Sequence, residues 1–395
     1  MPTRPCWVEI RTRSLEENYR FLASVAAGQA ELLAIVKANA YGHSLELCAP
    51  AAVRAGARWL GVTSVEEGIA ARAFCPEARI LVIGGVFAGQ GKALVEHGLT
   101  AVVWQLNQLD ELQSAARASG VHAAGLPVHL EIDTGMSRQG ASQESLSPIL
   151  ARLRAGSPLR LEGVMTHLFA ADELDGAVTD VQLDRLDEVL GRIEAAGLNA
   201  DWLNVGNSAA LLSGGVARIA ALAGRHGMKA MLRPGLALYG LAPKFLPEEP
   251  AGLSAALAAL QPVLSWKTEV VGVRTIPAGA VVGYNGTFIA TEPMRLAQLA
   301  VGYGDGLDRK LGNNFSLLVR GERAPVVGRI SMDQTVLDVT EIGGVEAGDE
   351  VVILGTQGAE TITAFDHAEA AGTIPWEIFT RIAARVLRVG VEPAS

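Results

Sequence analysis

Lys37 is the residue of this sequence whose setting best suits covalent chemistry. It follows the apolar run Leu32–Val36, which has the length of a buried strand, so its stem is expected among apolar side chains and its amine at their edge. Burial disfavours an ammonium and lowers its pKa, which is what a Schiff-base lysine requires. A lysine that packs its stem along the surface would show the same pattern, so the neighbouring residues must decide.

Other polar residues are predicted at the ends of further apolar runs, in positions equivalent to that of Lys37. They are Asp133, Arg138, His167, Asn207, Ser208 and Arg233. Several have a purely structural explanation, because Asn207 and Ser208 can cap a helix, Arg233 can form a salt-bridged corner, and His167 can be a hydrogen-bonded core residue.

The same residues can also form a cofactor site. A helix start at Asn207 and Ser208 offers free N–H groups to a phosphate, and Gly235 lets the backbone approach a phosphate closely. An amine, a phosphate cradle, two arginines and a histidine together suggest a phosphorylated aldehyde, pyridoxal phosphate, as the cofactor.

The elements that position these residues recur along the first 240 residues, as short apolar strands that alternate with segments of helical periodicity. The predicted strands are Leu32–Val36, Trp59–Thr63, Ile80–Ile83, Ala101–Trp104, Val128–Ile132, Leu161–Thr166, Trp202–Val205 and Ala230–Leu232. Eight strands in alternation with helices predict an α/β fold in which a parallel sheet closes into a (β/α)8 barrel. In such a barrel the loops at the carboxyl ends of the strands form the active site. A doubly wound open sheet is the alternative, and the count of eight favours the barrel.

The pattern changes after Gly240. Three prolines between residues 243 and 250 mark a linker, and short strands with Gly-containing turns follow. One of these strands is predicted over Ala280–Ile289, and a last helix over Trp376–Val386. This part of the chain therefore predicts a mostly β C-terminal domain.

The length of 395 residues also indicates two domains rather than one. We predict a cofactor-binding barrel over residues 1–242 and a β-rich domain over residues 243–395. The first strand of the chain is free to pair with the second domain.

Composition argues against several classes of partner. A net charge of −9 without a basic block disfavours nucleic acid and anionic membranes, and no apolar run approaches the ~20 residues of a membrane span. No secretory signal is recognisable, and the spacing of the three cysteines and seven histidines does not suggest a metal site. We therefore expect a cytoplasmic protein with reduced thiols and no metal.

The segment Val36-Lys37-Ala38-Asn39-Ala40-Tyr41-Gly42-His43 surrounds the candidate lysine. It resembles the cofactor-lysine motif of alanine racemases, a family of fold-type III pyridoxal-phosphate enzymes. Further segments resemble the same family in order along the chain: Ile132–Arg138, Asn207–Ala209, Arg233–Gly240, Val282–Tyr284, Val301–Gly306, Gly328–Gln334 and Gly372–Pro375. This ordered set covers nearly the whole chain and is highly specific.

The resemblance implies a two-base racemisation of L-alanine and D-alanine. It implies that Lys37 holds the cofactor covalently and exchanges a proton with the substrate Cα, and that Tyr284 of the partner subunit is the base on the opposite face. Because each site would take residues from two chains, the resemblance also implies a head-to-tail homodimer. Whether the enzyme makes or degrades D-alanine is left open.

The resemblance further implies which residues bind the cofactor. Those expected around the phosphate are Tyr41, Asn207, Ser208, Gly235, Leu236 and Trp376. Arg233 is expected to face the pyridine nitrogen, which stays unprotonated because an arginine does not give up its proton. This weakens the electron sink and suppresses side reactions such as transamination. His167 is expected to link Arg233 to Tyr284 and to favour ionisation of the phenol.

Substrate binding is implied for Arg138, which meets the cofactor phenolate and the substrate carboxylate, and for Met332 and Asp333 of the partner subunit. Many family members carry a carbamylated lysine where this chain has Glu131. We hypothesise that Glu131 supplies the negative charge that orients Arg138, with a water or an anion between them if its shorter side chain does not reach.

Trp376 also departs from the family, which usually has tyrosine there. Its indole donates a hydrogen bond but accepts none, and its bulk predicts a narrow pocket suited to alanine. A broader racemase acting on serine or another small amino acid remains an alternative. A decarboxylase of the same fold type is disfavoured by Arg233, since those enzymes place an acid at the ring nitrogen. A non-catalytic carrier of pyridoxal phosphate is disfavoured by the β domain with Tyr284.

Overall fold

The computed structural model describes residues 4–120, 125–154, 156–246, 253 and 257–391. The chain forms two compact units. The first comprises Met1–Thr12, Tyr41–Leu47 and Pro262–Ser395, and the second comprises Arg13–Ala40 and Cys48–Gln261. Pro247 and Pro250 of the predicted linker lie outside the described residues.

The second unit is a closed parallel barrel of eight strands, joined in the order of the chain. Its strands are β2 (Ala30–Ile35), β3 (Trp59–Val62), β4 (Arg79–Val82), β5 (Thr100–Val103), β6 (Leu126–Glu131), β7 (Leu159–Met165), β8 (Trp202–Asn204) and β9 (Lys229–Leu232). Strands β3 and β5 are buried on both faces, as expected of a parallel sheet covered by helices. The predicted barrel is confirmed, and each strand begins and ends within two residues of its predicted bounds.

Helices precede and separate the barrel strands, and two further helices lie in the first unit. They span Thr12–Ala26, Leu45–Arg54, Val65–Phe74, Gly91–Glu96, Leu106–Ala118, Gln143–Leu153, Ala177–Ala195, Ser208–Leu212, Val216–Arg225, Ala364–Ala371 and Pro375–Arg381. Shorter 3-10 turns span Leu236–Tyr239, Tyr284–Gly286, Tyr303–Asp305 and Arg309–Leu311. Within the described ranges, none of the helices has the length and apolar character needed to cross a membrane.

The first unit is built on a mixed sheet in which nine strands are described. These are β1 (Cys6–Ile10), β10 (Leu264–Ile276), β13 (Met294–Leu299), β14 (Ser316–Val319), β15 (Glu322–Pro325), β16 (Thr335–Asp338), β17 (Glu350–Gln357), β18 (Glu360–Ile362) and β19 (Leu387–Gly390). The main path runs β15-β14-β17-β10-β1-β19, while β13 joins β10 to β16 and β18 pairs with β17. Strand β1 is antiparallel to β10 and parallel to β19. The prediction of a mostly β C-terminal domain is thereby confirmed.

Two predicted elements of this unit are wrong. The strand expected over Ala280–Ile289 is a hairpin of β11 (Val281–Val282) and β12 (Phe288–Ile289), because Gly283 (φ 74°) and Asn285 (φ 61°) turn the chain between them. The helix expected over Trp376–Val386 spans Pro375–Arg381 instead. The chain then continues into β19, whose pairing with β1 cannot be read from local sequence.

Candidate active site

Lys37 follows directly after β2, whose last residues are fully buried. The lysine itself is half-buried, and its amine has no hydrogen-bond or ion-pair partner among the described residues. Burial lowers the pKa of Lys37, the positive charges of Arg138 and Arg233 lower it further, and the carboxylate of Glu67 opposes them. The environment therefore favours the neutral, nucleophilic form of the amine.

The backbone after Lys37 forms a left-handed helical turn. Four consecutive non-glycine residues, Ala38–Tyr41, have φ between 52° and 56°, a conformation that costs about 1–2 kcal/mol per residue. The carboxylate of Glu67 holds the start of this turn, since Oε1 accepts the Ala38 N–H at 2.7 Å and Oε2 accepts the Thr63 N–H at 2.8 Å. Backbone strain of this kind concentrates at functional sites.

Arg233 follows β9 and is 5% exposed. Its Nη1 donates to the carbonyl and to the side-chain oxygen of Asn204, both at 2.7 Å. Its Nη2 donates to the Thr166 carbonyl at 2.9 Å and to Nδ1 of His167 at 3.2 Å. Burial lowers the pKa of Arg233 to about 10, so the guanidinium keeps its charge at neutral pH. Its Nε–H has no acceptor in the part of the chain that the structure describes and is left for a ligand.

His167 is neutral in this setting. Its pKa falls to about 3 because of burial and the nearby positive charges of Arg233, Arg138 and Lys37. Lys37, His167 and Arg233 follow the carboxyl ends of β2, β7 and β9, Arg233 contacts His167, and Arg138 lines one pocket with His167. The structure therefore brings Lys37, Arg138, His167 and Arg233 together at one end of the barrel.

Donors suited to an anion gather at the start of the helix Ser208–Leu212. Asn207 is its N-cap and accepts the Ala209 N–H at 3.0 Å. The hydroxyl oxygen of Ser208 accepts the Gly235 N–H at 3.0 Å, so that N–H is engaged within the protein, while the hydroxyl proton of Ser208 remains available. The N–H groups of Ser208 and Leu236 have no acceptor among the residues described.

These donors fit pyridoxal phosphate. The amine of Lys37 matches its aldehyde, the unused Nε–H of Arg233 matches the pyridine nitrogen, and the donors around Ser208 match a phosphate. Tyr41, the other predicted phosphate ligand, ends the left-handed turn, and burial raises the pKa of its hydroxyl.

Glu131 and Arg138 line one pocket together with Asp133, Gln139, Thr166 and His167. Glu131 is buried, and its Oε2 accepts a hydrogen bond from Nε2 of Gln139 at 2.6 Å. Burial raises the pKa of Glu131, while Gln139, Arg233 and Arg138 oppose that rise. No ion pair joins Glu131 to Arg138 among the described residues, so the structure gives Glu131 a different direct partner from the one that we hypothesised.

The remaining predicted residues belong to the first unit. Tyr284 lies in the turn between β11 and β12 and is 67% exposed, and Met332 is 53% exposed. Trp376 lies in the helix Pro375–Arg381 and is 36% exposed. Oδ1 of Asp333 accepts a hydrogen bond from Arg385 at 2.7 Å.

Sequence reasoning missed Glu67, Gln139, Asn204 and Arg385. Each acts through a contact with a residue distant in the sequence or through a loop geometry that no spacing indicates. Asn204 gave the clearest signal, since it is a polar residue inside the buried strand β8, where a hydrogen-bond partner is required. The described residues contain no group of three His, Cys, Asp or Glu side chains that could hold a metal ion.

Comparison with known proteins covers both units. Residues 10–243 match the family described as "Alanine racemase, N-terminal domain", and residues 263–390 match "Alanine racemase, C-terminal domain". The chain is 35% identical to alanine racemase 2 of Caldanaerobacter subterraneus subsp. tengcongensis, over 98% of this chain and 95% of that protein.

Solved structures agree. The crystal structure of alanine racemase from D-cycloserine producing Streptomyces lavendulae superimposes with a TM-score of 0.88 at 33% identity, covering 100% of this chain and 99% of that one. Alanine racemase from Bartonella henselae with covalently bound pyridoxal phosphate superimposes with a TM-score of 0.82 at 26% identity, covering 99% of this chain and 100% of that one.

Proposed function

Since this chain belongs to the alanine racemase family, we propose that it interconverts L-alanine and D-alanine by a two-base mechanism with pyridoxal phosphate as cofactor. The reaction is an isomerisation that moves one proton off and onto the alanine Cα. The observation that carries the proposal is the setting of Lys37, a half-buried amine without a described partner, beside two arginines and a neutral histidine.

Lys37 is proposed to hold the cofactor and to act as the base on one face of Cα. When bound, pyridoxal phosphate supplies the electron-withdrawing group that makes the Cα proton acidic. Tyr284 of the partner subunit is proposed to act on the opposite face. Two bases on opposite faces allow a proton to leave one side and another to arrive on the other, which inverts the centre.

Arg233 is proposed to donate its Nε–H to the ring nitrogen of the cofactor. Its Nη groups are already held by Asn204, Thr166 and His167, so the orientation of the guanidinium is fixed before ligand binds. Because arginine keeps its proton, Arg233 would leave the ring nitrogen of a bound cofactor unprotonated. An unprotonated ring would withdraw fewer electrons, which would disfavour transamination.

The phosphate is proposed to bind Tyr41, Asn207, Ser208, Gly235 and Leu236. Of these, the hydroxyl proton of Ser208 and the N–H groups of Ser208 and Leu236 are donors without an acceptor among the described residues. The helix start adds a favourable dipole. Trp376 is proposed to border this region at the entrance.

The substrate carboxylate is proposed to bind Arg138, with Met332 and Asp333 of the partner subunit completing the site. Glu131 is proposed to act on Arg138 only at a distance, as a buried acid held by Gln139. A bridging water or anion in the pocket that they share would transmit its charge.

A homodimer is proposed because the first unit exposes large apolar side chains that a subunit interface would bury. Val281, Tyr284 and Ile289 of the β11–β12 hairpin are 62%, 67% and 58% exposed, and Met332 and Ile374 are more than half exposed. Exposed groups of this kind mark interaction surfaces. We further propose that the predicted domains, residues 1–242 and 243–395, correspond to the barrel unit and the β-rich unit, with Met1–Thr12 and Tyr41–Leu47 belonging to the β-rich unit and residues 243–261 to the barrel unit.

We place the enzyme in the cytoplasm, where it supplies or degrades D-alanine. All three cysteines are buried, reduced thiols, as in proteins of a reducing compartment. No nucleic-acid or membrane partner is proposed.

The test is exchange of the Cα proton in deuterium oxide. The purified holoenzyme should incorporate deuterium into both L-alanine and D-alanine and bring either enantiomer to an equal mixture, as measured by mass spectrometry and chiral chromatography. Borohydride reduction should leave a pyridoxyl group on the peptide that contains Lys37. A holoenzyme that exchanges neither enantiomer would refute the proposal.

A broader-specificity racemase is the second candidate, because Trp376 replaces the tyrosine usual at this position. Racemisation rates for alanine, serine and lysine should be compared. We expect alanine to be fastest and lysine slowest, since the indole narrows the pocket; faster turnover of serine than of alanine would favour the alternative.

A further inference from the structure

Asp305, Arg385 and Asp333 form a chain of alternating charges in the first unit. The Asp305 side chain is fully buried, and its Oδ1 accepts a hydrogen bond from Nε of Arg385 at 2.7 Å. Nη2 of Arg385 in turn donates to Oδ1 of Asp333 at 2.7 Å and approaches the Met332 carbonyl at 3.5 Å. Arg385 therefore spans from a buried acid to the turn that carries Met332 and Asp333.

Asp305 does not depend on Arg385 for its partners. Arg4 donates to both of its carboxylate oxygens, through Nη1 and, at 2.8 Å, through Nη2. The Gly302 N–H donates to it as well, at 3.0 Å. With this many donors, the carboxylate of Asp305 is fixed in place. Arg385 is the residue that connects this buried carboxylate to the exposed Asp333.

The backbone of the Met332–Asp333 turn is also hydrogen-bonded to the segment around Tyr303 and Gly304, which leads to Asp305. The N–H groups of Tyr303 and Gly304 donate to the carbonyls of Ser331 and Met332 at 3.0 and 2.8 Å. A side chain at Gly302 would collide with those carbonyl oxygens, so the two segments are in close backbone contact. The carbonyl of Met332 is thus engaged.

The N–H of Met332 has no acceptor in the described part of the chain, so it is a free donor on an exposed turn. The carboxylate of Asp333, one residue further on, would repel an anionic ligand brought to that donor. The ion pair with Arg385 offsets this charge.

We propose that Arg385 is a positioning residue that fixes the Met332–Asp333 turn and offsets the charge of Asp333, so that the turn can receive the substrate carboxylate in the partner's site. This inference rests on the proposed function. It assigns Arg385 no contact with the substrate, because the guanidinium acts through Asp333 and the Met332 carbonyl.

The test compares Arg385→Met and Arg385→Lys with the wild-type holoenzyme. Arg385→Met should raise KM for both alanine enantiomers about tenfold, the effect of losing one charge-assisted contact, while kcat changes much less. Arg385→Lys should recover most of the loss at low salt. Arg323→Met is the matched control, since Arg323 also pairs with an acid of the same unit, Glu360, and should leave KM unchanged.

Two further measurements separate positioning from general damage to the fold. In Arg385→Met, hydrogen exchange should speed up at the amides of Gly304, Ser331 and Gln334, which hold the turn, and not throughout the sheet. The double variant Arg385→Met/Asp333→Asn should have a lower KM than Arg385→Met, because the uncompensated charge is gone.

An unchanged KM in Arg385→Met, or an equal rise in Arg323→Met, would overturn the inference while the wild-type enzyme still racemises alanine. A wild-type holoenzyme without racemase activity would instead refute the proposed function and this inference with it.

Discussion

Nη2 of Arg233 donates a hydrogen bond to Nδ1 of His167 over 3.2 Å. A guanidinium has no lone pair to offer, so Nδ1 must be the acceptor, and a neutral His167 carries its proton on Nε2. The pKa of His167, about 3, keeps the ring neutral. Arg233 thereby fixes the tautomer of His167, and the Nε2–H is the donor that the proposed mechanism offers to the phenol oxygen of Tyr284 of the partner subunit.

His167 should therefore contribute no titration to the activity near its ordinary pKa of ~6.5. The pH profile of kcat/KM should show no limb in that region that disappears in His167→Leu. The variant should nevertheless lose about 10²-fold in kcat, the typical effect of removing one donor from a developing negative charge. Steady-state kinetics from pH 5 to 10 would check both points. A His167-dependent inflection near neutrality would contradict the assigned tautomer.

If each site is shared between two subunits, as proposed, the behaviour of mixed dimers can be predicted. Lys37→Ala and Tyr284→Phe should each abolish most racemisation, because each removes one of the two bases from every site. When the two inactive variants are mixed and allowed to exchange subunits, half of the dimers should contain one intact site, and activity should return to roughly a quarter of the wild-type value. The measurement is racemisation after subunit exchange.

As the control, each variant is taken through the same exchange procedure alone, and this should restore no racemase activity. If the mixture of the two variants stays inactive although exchange of labelled subunits is observed, the two bases do not belong to different chains.

The environment of His226 predicts that the free energy of unfolding depends on pH. Its ring nitrogens contact Asp187 at 2.6 Å and Glu194 at 2.7 Å. Burial alone would lower the pKa of His226, but the two carboxylates raise it above its usual value. A raised pKa stabilises the folded state at pH values below the unfolded pKa of ~6.5. This stabilisation is lost as the pH rises through the folded pKa.

Urea denaturation of wild type and His226→Asn would measure the effect. The variant should be less stable by about 1 kcal/mol at pH 5.5, as for a partly exposed ion pair, and the difference should shrink at pH 9. Equal differences at both pH values would show that the histidine contributes packing rather than charge.

The barrel was predictable because its strands are short, apolar and buried on both faces, and because the polar residues of the site directly follow them. Lys37, His167 and Arg233 were predicted as site residues in this way, and each lies just after the carboxyl end of a barrel strand. The hairpin at Tyr284 was missed, since a strand-like composition hides a turn that depends on positive φ at Gly283 and Asn285. Such turns are decided by single residues rather than by periodicity.

Long-range partners account for the remaining differences. The last strand forms because it pairs with β1, more than 370 residues earlier in the chain. Glu131 was expected to orient Arg138, either directly or through a water or an anion, and its described direct donor is Gln139 in the following loop. Composition identifies a buried acid, but only the folded loop decides which donor reaches it.

Glu67 supports the left-handed turn that follows Lys37, and its removal should impair the site without a direct contact to the substrate. Its two oxygens accept the N–H groups of Ala38 and Thr63. Each charge-assisted hydrogen bond contributes about 1.5–3 kcal/mol, which is the order of the strain in one or two left-handed residues. Glu67→Ala should therefore loosen the turn, while Glu67→Gln, which can accept only one of the two N–H groups, should be intermediate.

Glu67→Ala should lower kcat by about tenfold or more, because a misplaced amine reacts less often, and should speed hydrogen exchange at Ala38 and Thr63. Both variants also remove a negative charge that raises the pKa of Lys37. The amine of Lys37 in the apoenzyme should therefore react with pyridoxal phosphate at lower pH than in wild type, to a similar extent in the two variants.

Glu66→Ala is the matched control, since Glu66 lies in the same helical turn but accepts a hydrogen bond from Gln90 at 3.1 Å. If Glu66→Ala and Glu67→Ala behave alike, the carboxylate of Glu67 does not hold the turn.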